Sequence, residues 1–112
     1  MAAMSTALTE FSSFGDSYTS TISGHTVSKP RLVVERRKVP SGSQTVYEYS
    51  CNVVYATTDA DGNILNNKYT FQVIHRGPVG GTTTDRDAAL VVFRDMIAGD
   101  EFANSVSTQE WL

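Results

Sequence analysis

Few residues of this 112-residue chain combine the types and spacing that catalysis or metal binding requires. His25 and His75 each lack a neighbour at the spacing of a metal site. The single cysteine, Cys51, cannot form an internal disulfide, and it alternates with tyrosines in an apolar pattern typical of a buried structural thiol. No spacing suggests a catalytic triad or a carboxylate pair. The sequence therefore predicts no enzymatic activity, no cofactor, no metal and no small-molecule substrate.

Two loop sequences resemble ligand-binding motifs only in part. Asp59, Asp61 and Asn63 have the spacing that opens a calcium loop, but Ile64 stands where glycine is needed and Thr70 where the bidentate glutamate is needed. Residues 77–82 precede a helix, as a phosphate loop would, but lack its Gly-Lys-Ser/Thr ending. We interpret the first as a hairpin turn and the second as a strand-to-helix connection.

The remaining candidate site is the polar face of a predicted sheet. Basic side chains on such a face bind phosphates, and hydroxyls and amides bond base edges. An amphipathic sheet also has a solvated face that needs no ligand, and the composition is compatible with this alternative. Strand alternation assigns seven such residues to this face: Arg31, Arg37, Ser50, Asn52, Lys68, Thr70 and Gln72.

The charge distribution bears on this choice. The formal net charge of −3 argues against a simple basic nucleic-acid binder. However, residues 1–28 carry −2, residues 29–76 carry +3 and residues 77–112 carry −4. Electrostatic attraction depends on where charges lie as well as on their sum. The basic residues gather in the predicted sheet, although ordinary scatter on a surface would also produce this pattern.

The predicted sheet consists of an N-terminal hairpin and three longer strands. Short connections rule out crossover helices, so neighbouring strands are expected to be antiparallel. On the face opposite the polar one we expect Leu32 and Val34 to join an apolar set of tyrosines and phenylalanines. The hairpin pairs residues 7–11 with 17–23 across 12–16, and the strands are residues 31–39 (ended by Pro40 and the turn at 41–43), 45–58 and 65–76.

The chain then changes to a helical period. Residues 84–87 resemble a capping box, Gly99 ends the first helix, and Asp100 caps a second helix that runs to about Glu110. The apolar side of each helix needs an apolar surface to pack on, and we expect this surface to be the apolar face of the sheet. The predicted fold class is therefore α+β. Apolar helix positions are Ala89, Leu90, Phe93, Met96 and Ile97 in the first helix and Phe102, Val106 and Trp111 in the second.

The length fits one domain, divided into a hairpin (1–28), a sheet (29–76), a loop (77–83) and helices (84–112). No apolar run approaches the roughly 18 residues of a membrane span. The first six residues contain no basic residue and no apolar stretch, so no secretory signal is predicted.

This order of elements resembles that of the coat proteins of single-stranded RNA bacteriophages, over nearly the whole chain. Residues 66–73 are similar to the last sheet strand of the family, residues 83–93 to its first helix and residues 100–106 to its second. Residues 31–37 and 47–53 also resemble coat-protein strands.

The resemblance implies a homodimer with one continuous sheet, whose helices clasp the partner subunit, and an icosahedral shell around the RNA genome. It implies assembly in the bacterial cytoplasm, a place in the virion, no membrane, and an inner sheet face that binds an RNA hairpin to repress replicase translation. The implied RNA-binding residues are Arg31, Glu35, Arg37, Glu48, Ser50, Asn52, Lys68, Thr70 and Gln72. The implied packing residues are Tyr47, Tyr49, Cys51, Tyr69, Phe71, Leu90, Phe93, Ile97 and Phe102.

Two features depart from the family pattern, and two other functions stay open. Family members often carry an aromatic residue on the RNA face that stacks on a nucleobase, but Tyr69 is one residue out of phase with that face. Glu48 stands where a basic residue would favour RNA binding. Loops 40–43, 59–63 and 77–83 are candidates for contacts between dimers. The alternatives are a cellular α+β dimer that binds RNA or protein without assembling, and an enzyme that uses His25 or His75.

Overall fold

The computed structural model describes residues 4–38 and 45–112, so the predicted turn at 40–43 lies outside the described residues. Five strands form one antiparallel sheet in which chain neighbours are also spatial neighbours, and two helices follow. This arrangement confirms the α+β prediction. The elements are β1 (Thr9–Phe14), β2 (Ser17–Thr21), β3 (Arg31–Lys38), β4 (Val46–Tyr55), β5 (Tyr69–Pro78), α1 (Thr83–Ala98) and α2 (Asp100–Thr108).

The N-terminal hairpin is tighter than predicted. β1 continues to Phe14, which pairs with Ser17, so the turn contains only Gly15 and Asp16. Gly15 has a φ of 58°, a left-handed conformation that glycine adopts at little cost in a two-residue turn. The predicted connection at 12–16 was wrong because its serines belong to an exposed edge strand, which needs no apolar alternation.

The loop between β4 and β5 begins with the predicted turn. Asp59 Oδ1 accepts hydrogen bonds from the backbone N–H groups of Asp61 and Asn63, both at 2.9 Å. These bonds, above all those from Asn63, lower the pKa of the Asp59 carboxyl. A single antiparallel bridge joins Thr58 to Ile64 beyond the turn. The regular strands end at Tyr55 and resume at Tyr69, so both are shorter at this end than the periodicity predicted.

Both helices begin differently from the prediction. Thr82 is the N-cap of α1, and its hydroxyl accepts a hydrogen bond from the Asp85 N–H at 3.3 Å. The predicted cap at Thr84 is therefore two residues late. Asp100 is the first residue of α2 rather than its cap, because Gly99 holds the cap position without a side-chain bond. α2 ends at Thr108, after which Gln109 adopts a left-handed conformation with φ 59°.

The chain divides into two compact units, Met1–Arg76 and Gly77–Leu112. Within the described residues, the buried apolar side chains are only Val33 and Ala56. Neither helix contains a buried residue, and Trp111, a predicted helix contact, is fully exposed. In the same described residues, no helix has the length and apolar character needed to cross a membrane.

Candidate nucleic-acid interface

Strand pairing gives the sheet two chemically different faces. One, the tyrosine face, carries Tyr47, Tyr49, Cys51 and Tyr55 of β4. Tyr47 Oη lies 3.0 Å from His75 Nε2, which places His75 of β5, and by alternation Phe71 and Val73, on the same face. The other, the polar face, carries Arg36 and Lys38 of β3, Glu48, Ser50 and Asn52 of β4, and Gln72 and Arg76 of β5.

The structure corrects the predicted orientation of β3. Arg31, Glu35 and Arg37 pair with Tyr55, Cys51 and Tyr49, so their backbone positions belong to the tyrosine face. The Tyr49 hydroxyl donates a hydrogen bond of 2.5 Å to Glu35 Oε2. The guanidinium of Arg31 lies 4.1 Å from the centre of the Tyr55 ring.

This error has a clear physical origin. Alternation sorts the residues of one strand into two sets, but only the pairing register decides which set joins which face of the neighbouring strand. Valines occur in both sets of β3, so hydrophobicity did not distinguish them. As a result Leu32 and Val34 pair with Val54 and Asn52 on the polar face rather than with the tyrosines.

A surface depression on the polar face collects five of the nine predicted RNA-binding residues. Lys68 and Thr70 lie outside it: Lys68 precedes β5, and its ammonium donates to the carbonyl of Asn66 at 3.4 Å. Thr70 is exposed on β5 and shares the alternation set of Gln72. Arg37 reaches the depression from the end of β3. The depression is lined by Arg36, Arg37, Lys38, Glu48, Ser50, Asn52 and Gln72.

The depression is positively charged. Three basic residues of β3 line it, whereas Glu48 contributes the single carboxylate of the lining. The Glu48 carboxylate also forms an ion pair with the Arg76 guanidinium at 3.4 Å. This pair offsets the negative charge of Glu48, the residue that departs from the family pattern. Arg36 and Lys38 were not predicted from the sequence. A signal was present, because three consecutive basic residues at a strand end place at least one basic side chain on each face, whatever the register.

Two neighbouring groups on the tyrosine face, the Tyr49 hydroxyl and the Cys51 thiol, have raised pKa values. Burial, followed by the hydrogen bond and charge of Glu35, raises the pKa of Tyr49. Burial also raises the pKa of the half-buried Cys51 thiol. A protonated thiol is a poor nucleophile, which agrees with the expectation that Cys51 is not catalytic.

The two histidines take part in local hydrogen bonds. His25 Nδ1 accepts from the backbone N–H of Arg31 at 3.1 Å, and His75 pairs with Tyr47. Among residues 4–38 and 45–112, no three metal-ligating side chains come together.

Comparison with solved structures decides the fold family. The chain superimposes on the "Virus-like particle of Wenzhou levi-like virus 4" with a TM-score of 0.83, covering 99% of this chain and 81% of the other at 15% sequence identity. The fold is that of the RNA-phage coat proteins.

Two further coat-protein-like chains support this assignment. A virus-like particle of Beihai levi-like virus 32 matches with a TM-score of 0.73 and 18% identity over 96% of this chain and 85% of that one. A virus-like particle of bacteriophage AVE019 matches at 0.72 and 9% identity over 100% and 94%. No protein-family profile matches the sequence, and no curated protein does. The fold resemblance expected from residues 66–73, 83–93 and 100–106 is confirmed at the level of the backbone.

Proposed function

We propose that this protein is the capsid protein of a single-stranded RNA bacteriophage, which dimerises and assembles into an icosahedral shell around the genome. The observation that carries the proposal is the match of 99% of the chain to a subunit of a levi-like virus particle. The match includes both the sheet and the helices, so the whole chain is accounted for by one architecture.

Exposed apolar surface supports dimerisation. On the tyrosine face, Tyr69 is 64% exposed and Phe71 is 48% exposed. In α1, Leu90, Phe93 and Ile97 lie on one side of the helix and are 38–44% exposed. Contiguous apolar surface of this kind marks an interface. The helices of a second copy, laid on the tyrosine face, would bury both surfaces at once.

Charge and hydrogen-bonding groups support RNA as the ligand of the polar face. Arg36, Arg37 and Lys38 offer phosphate contacts, and Ser50, Asn52 and Gln72 offer groups for base edges. The proposed RNA includes a hairpin whose binding represses replicase translation.

Exposed loops supply candidate contacts between dimers. Residues 60–63 of the turn that begins at Asp59 are exposed, and Val79 in the connection after β5 is 56% exposed. β5 continues through Pro78, so this connection is shorter than the predicted loop 77–83. The third predicted contact loop, 40–43, lies outside the described residues.

Sedimentation of the expressed protein tests the proposal. We expect a fast-sedimenting, homogeneous species that contains host RNA protected from nuclease. A stable dimer that never forms larger particles, with or without added RNA, would instead identify a cellular RNA- or protein-binding module with the same fold.

A further inference from the structure

The hairpin register brings an exposed aromatic residue onto the polar face. Phe14 pairs with Ser17 on β2, Ser17 pairs with Arg36 on β3, and Arg36 pairs with Ser50 on β4. Residues paired across antiparallel strands present their side chains on the same face. Phe14 therefore lies in one row of paired residues with Arg36 and Ser50. The basic side chain of Arg36 and the hydroxyl of Ser50 both line the positive depression.

The phenyl ring of Phe14 is free to meet a ligand. Its exposed fraction of 89% is larger than that of any tyrosine on the opposite face. The turn that carries it is attached to the basic end of β3, because the Arg37 N–H donates to the Asp16 carbonyl at 3.0 Å. The position of the Phe14 backbone relative to Arg36 and Arg37 is thus held by backbone pairing.

We propose that Phe14 is a stacking platform for an unpaired base of single-stranded RNA whose adjacent phosphates are held by Arg36, Arg37 and Lys38. The inference rests on the proposed binding of RNA to the polar face. Proteins that bind single strands combine a positive surface that follows the backbone with aromatic rings on which bases stack. The β1 and β3 backbones are separated by two strand spacings, about 10 Å. The side chains of Phe14 and Arg36 are long enough to span this distance together.

Phe14 also supplies what the rest of this face lacks. Among the described residues that strand pairing assigns to the polar face, it is the only aromatic; Phe11 stands at the bulge between Glu10 and Ser12 and has no paired residue. Tyr69 lies on the opposite face, in the alternation set of Phe71 and His75. A base held on this face therefore has Phe14 as its aromatic partner.

Binding of a fluorescein-labelled oligouridylate of about ten nucleotides tests the affinity contribution. The full-length protein is used in a buffer in which light scattering shows no particles, and affinity is read by anisotropy. Stacking on one ring predicts that Phe14→Ala weakens binding by about 5- to 150-fold. Phe14→Leu keeps the apolar bulk without the π face and should be nearly as weak, whereas Phe14→Trp should bind at least as tightly as the native protein.

Tryptophan fluorescence tests the contact itself. In a Trp111→Phe background, Phe14→Trp creates a single reporter whose emission a stacked uracil should quench. The native protein, whose only tryptophan is the fully exposed Trp111, is the matched control and should be quenched little.

Three outcomes would overturn the inference in distinguishable ways. Oligonucleotide binding with unchanged affinity in Phe14→Ala and no quenching at position 14 would remove Phe14 but leave RNA on the polar face. Unchanged binding together with loss of particles would make Phe14 a contact between subunits. Absence of binding by the native protein would refute the RNA part of the proposed function and this inference with it.

Discussion

At the scale of single residues, the pairing of Glu35 with Tyr49 shows how a carboxylate is accommodated on the tyrosine face. Strand alternation grouped Glu35 with Arg31 and Arg37, and the family resemblance implied that this set binds RNA. In the structure the Glu35 carboxylate accepts the Tyr49 hydroxyl at 2.5 Å and is only partly exposed. Residue type identified Glu35 as polar, but its partner lies on another strand, which the sequence of β3 alone does not reveal.

Removal of the Tyr49 hydroxyl should therefore destabilise the protein. Tyr49→Phe leaves a half-buried carboxylate without its donor, and we expect the free energy of unfolding to fall by about 1–3 kcal/mol, measured by urea denaturation. Tyr47→Phe is the matched control, because its hydroxyl pairs with the exposed His75, and it should cost less than about 0.5 kcal/mol. Equal losses in the two variants would contradict the importance of Glu35.

The same cluster predicts a loss of stability in alkali. The pKa values of Tyr49 and Cys51 are both raised in the folded protein above their ordinary values of 10.0 and 9.0. Their contribution to stability is thus complete below the ordinary pKa and is lost as the pH rises through the folded pKa. Unfolding measured from about pH 7 to pH 10.5 should show a fall that is shallower in the Tyr49→Phe/Cys51→Ser variant. A parallel fall in both proteins would assign the effect to other groups.

The two faces of β3 predict opposite roles for two arginines. Arg36→Ala removes a phosphate contact, so RNA binding should weaken, and the slope of log K against log salt should decrease by about 0.7. Arg31→Ala changes the tyrosine face and should leave that slope unchanged, with folding checked by circular dichroism. If Arg31→Ala changed the salt slope and Arg36→Ala did not, RNA would bind to the other face.

At the scale of elements, the alternation and turn residues predicted the number, order and antiparallel pairing of the strands. They could not predict how β3 registers on β4, because a shift of one residue exchanges the faces of a whole strand. They also placed the start of α1 at Thr84 rather than after Thr82, since either threonine can cap a helix. The five-residue connection predicted in the first hairpin became two because Gly15 permits a tight turn.

The exposed stripe of α1 makes a prediction about the partner subunit. Phe93→Asp places a charge in the stripe formed with Leu90 and Ile97, and we expect dimers to dissociate in analytical ultracentrifugation. Ala88→Asp adds the same charge on the opposite side of the helix and should leave the dimer intact. Dimers that survive Phe93→Asp would show that this stripe is not the contact surface.

At the scale of the whole molecule, the net charge of −3 conceals a separation of charges. Residues 29–76 carry +3, and in the structure the polar face gathers Arg36, Lys38 and Arg76, while residues 77–112 carry −4. This separation, and the similarity of element order to the RNA-phage coat proteins, could be predicted from sequence. The extent of exposed apolar surface could not, because it depends on which side chains the folded chain leaves uncovered.

The central claim is that many copies of this chain form a shell around RNA. Negative-stain electron microscopy of the expressed and purified protein tests it most directly. We expect uniform round particles whose ultraviolet spectrum shows packaged nucleic acid. Fields that contain only monomers or dimers, across low and high salt and with RNA added, would contradict the assignment of this protein as a capsid subunit.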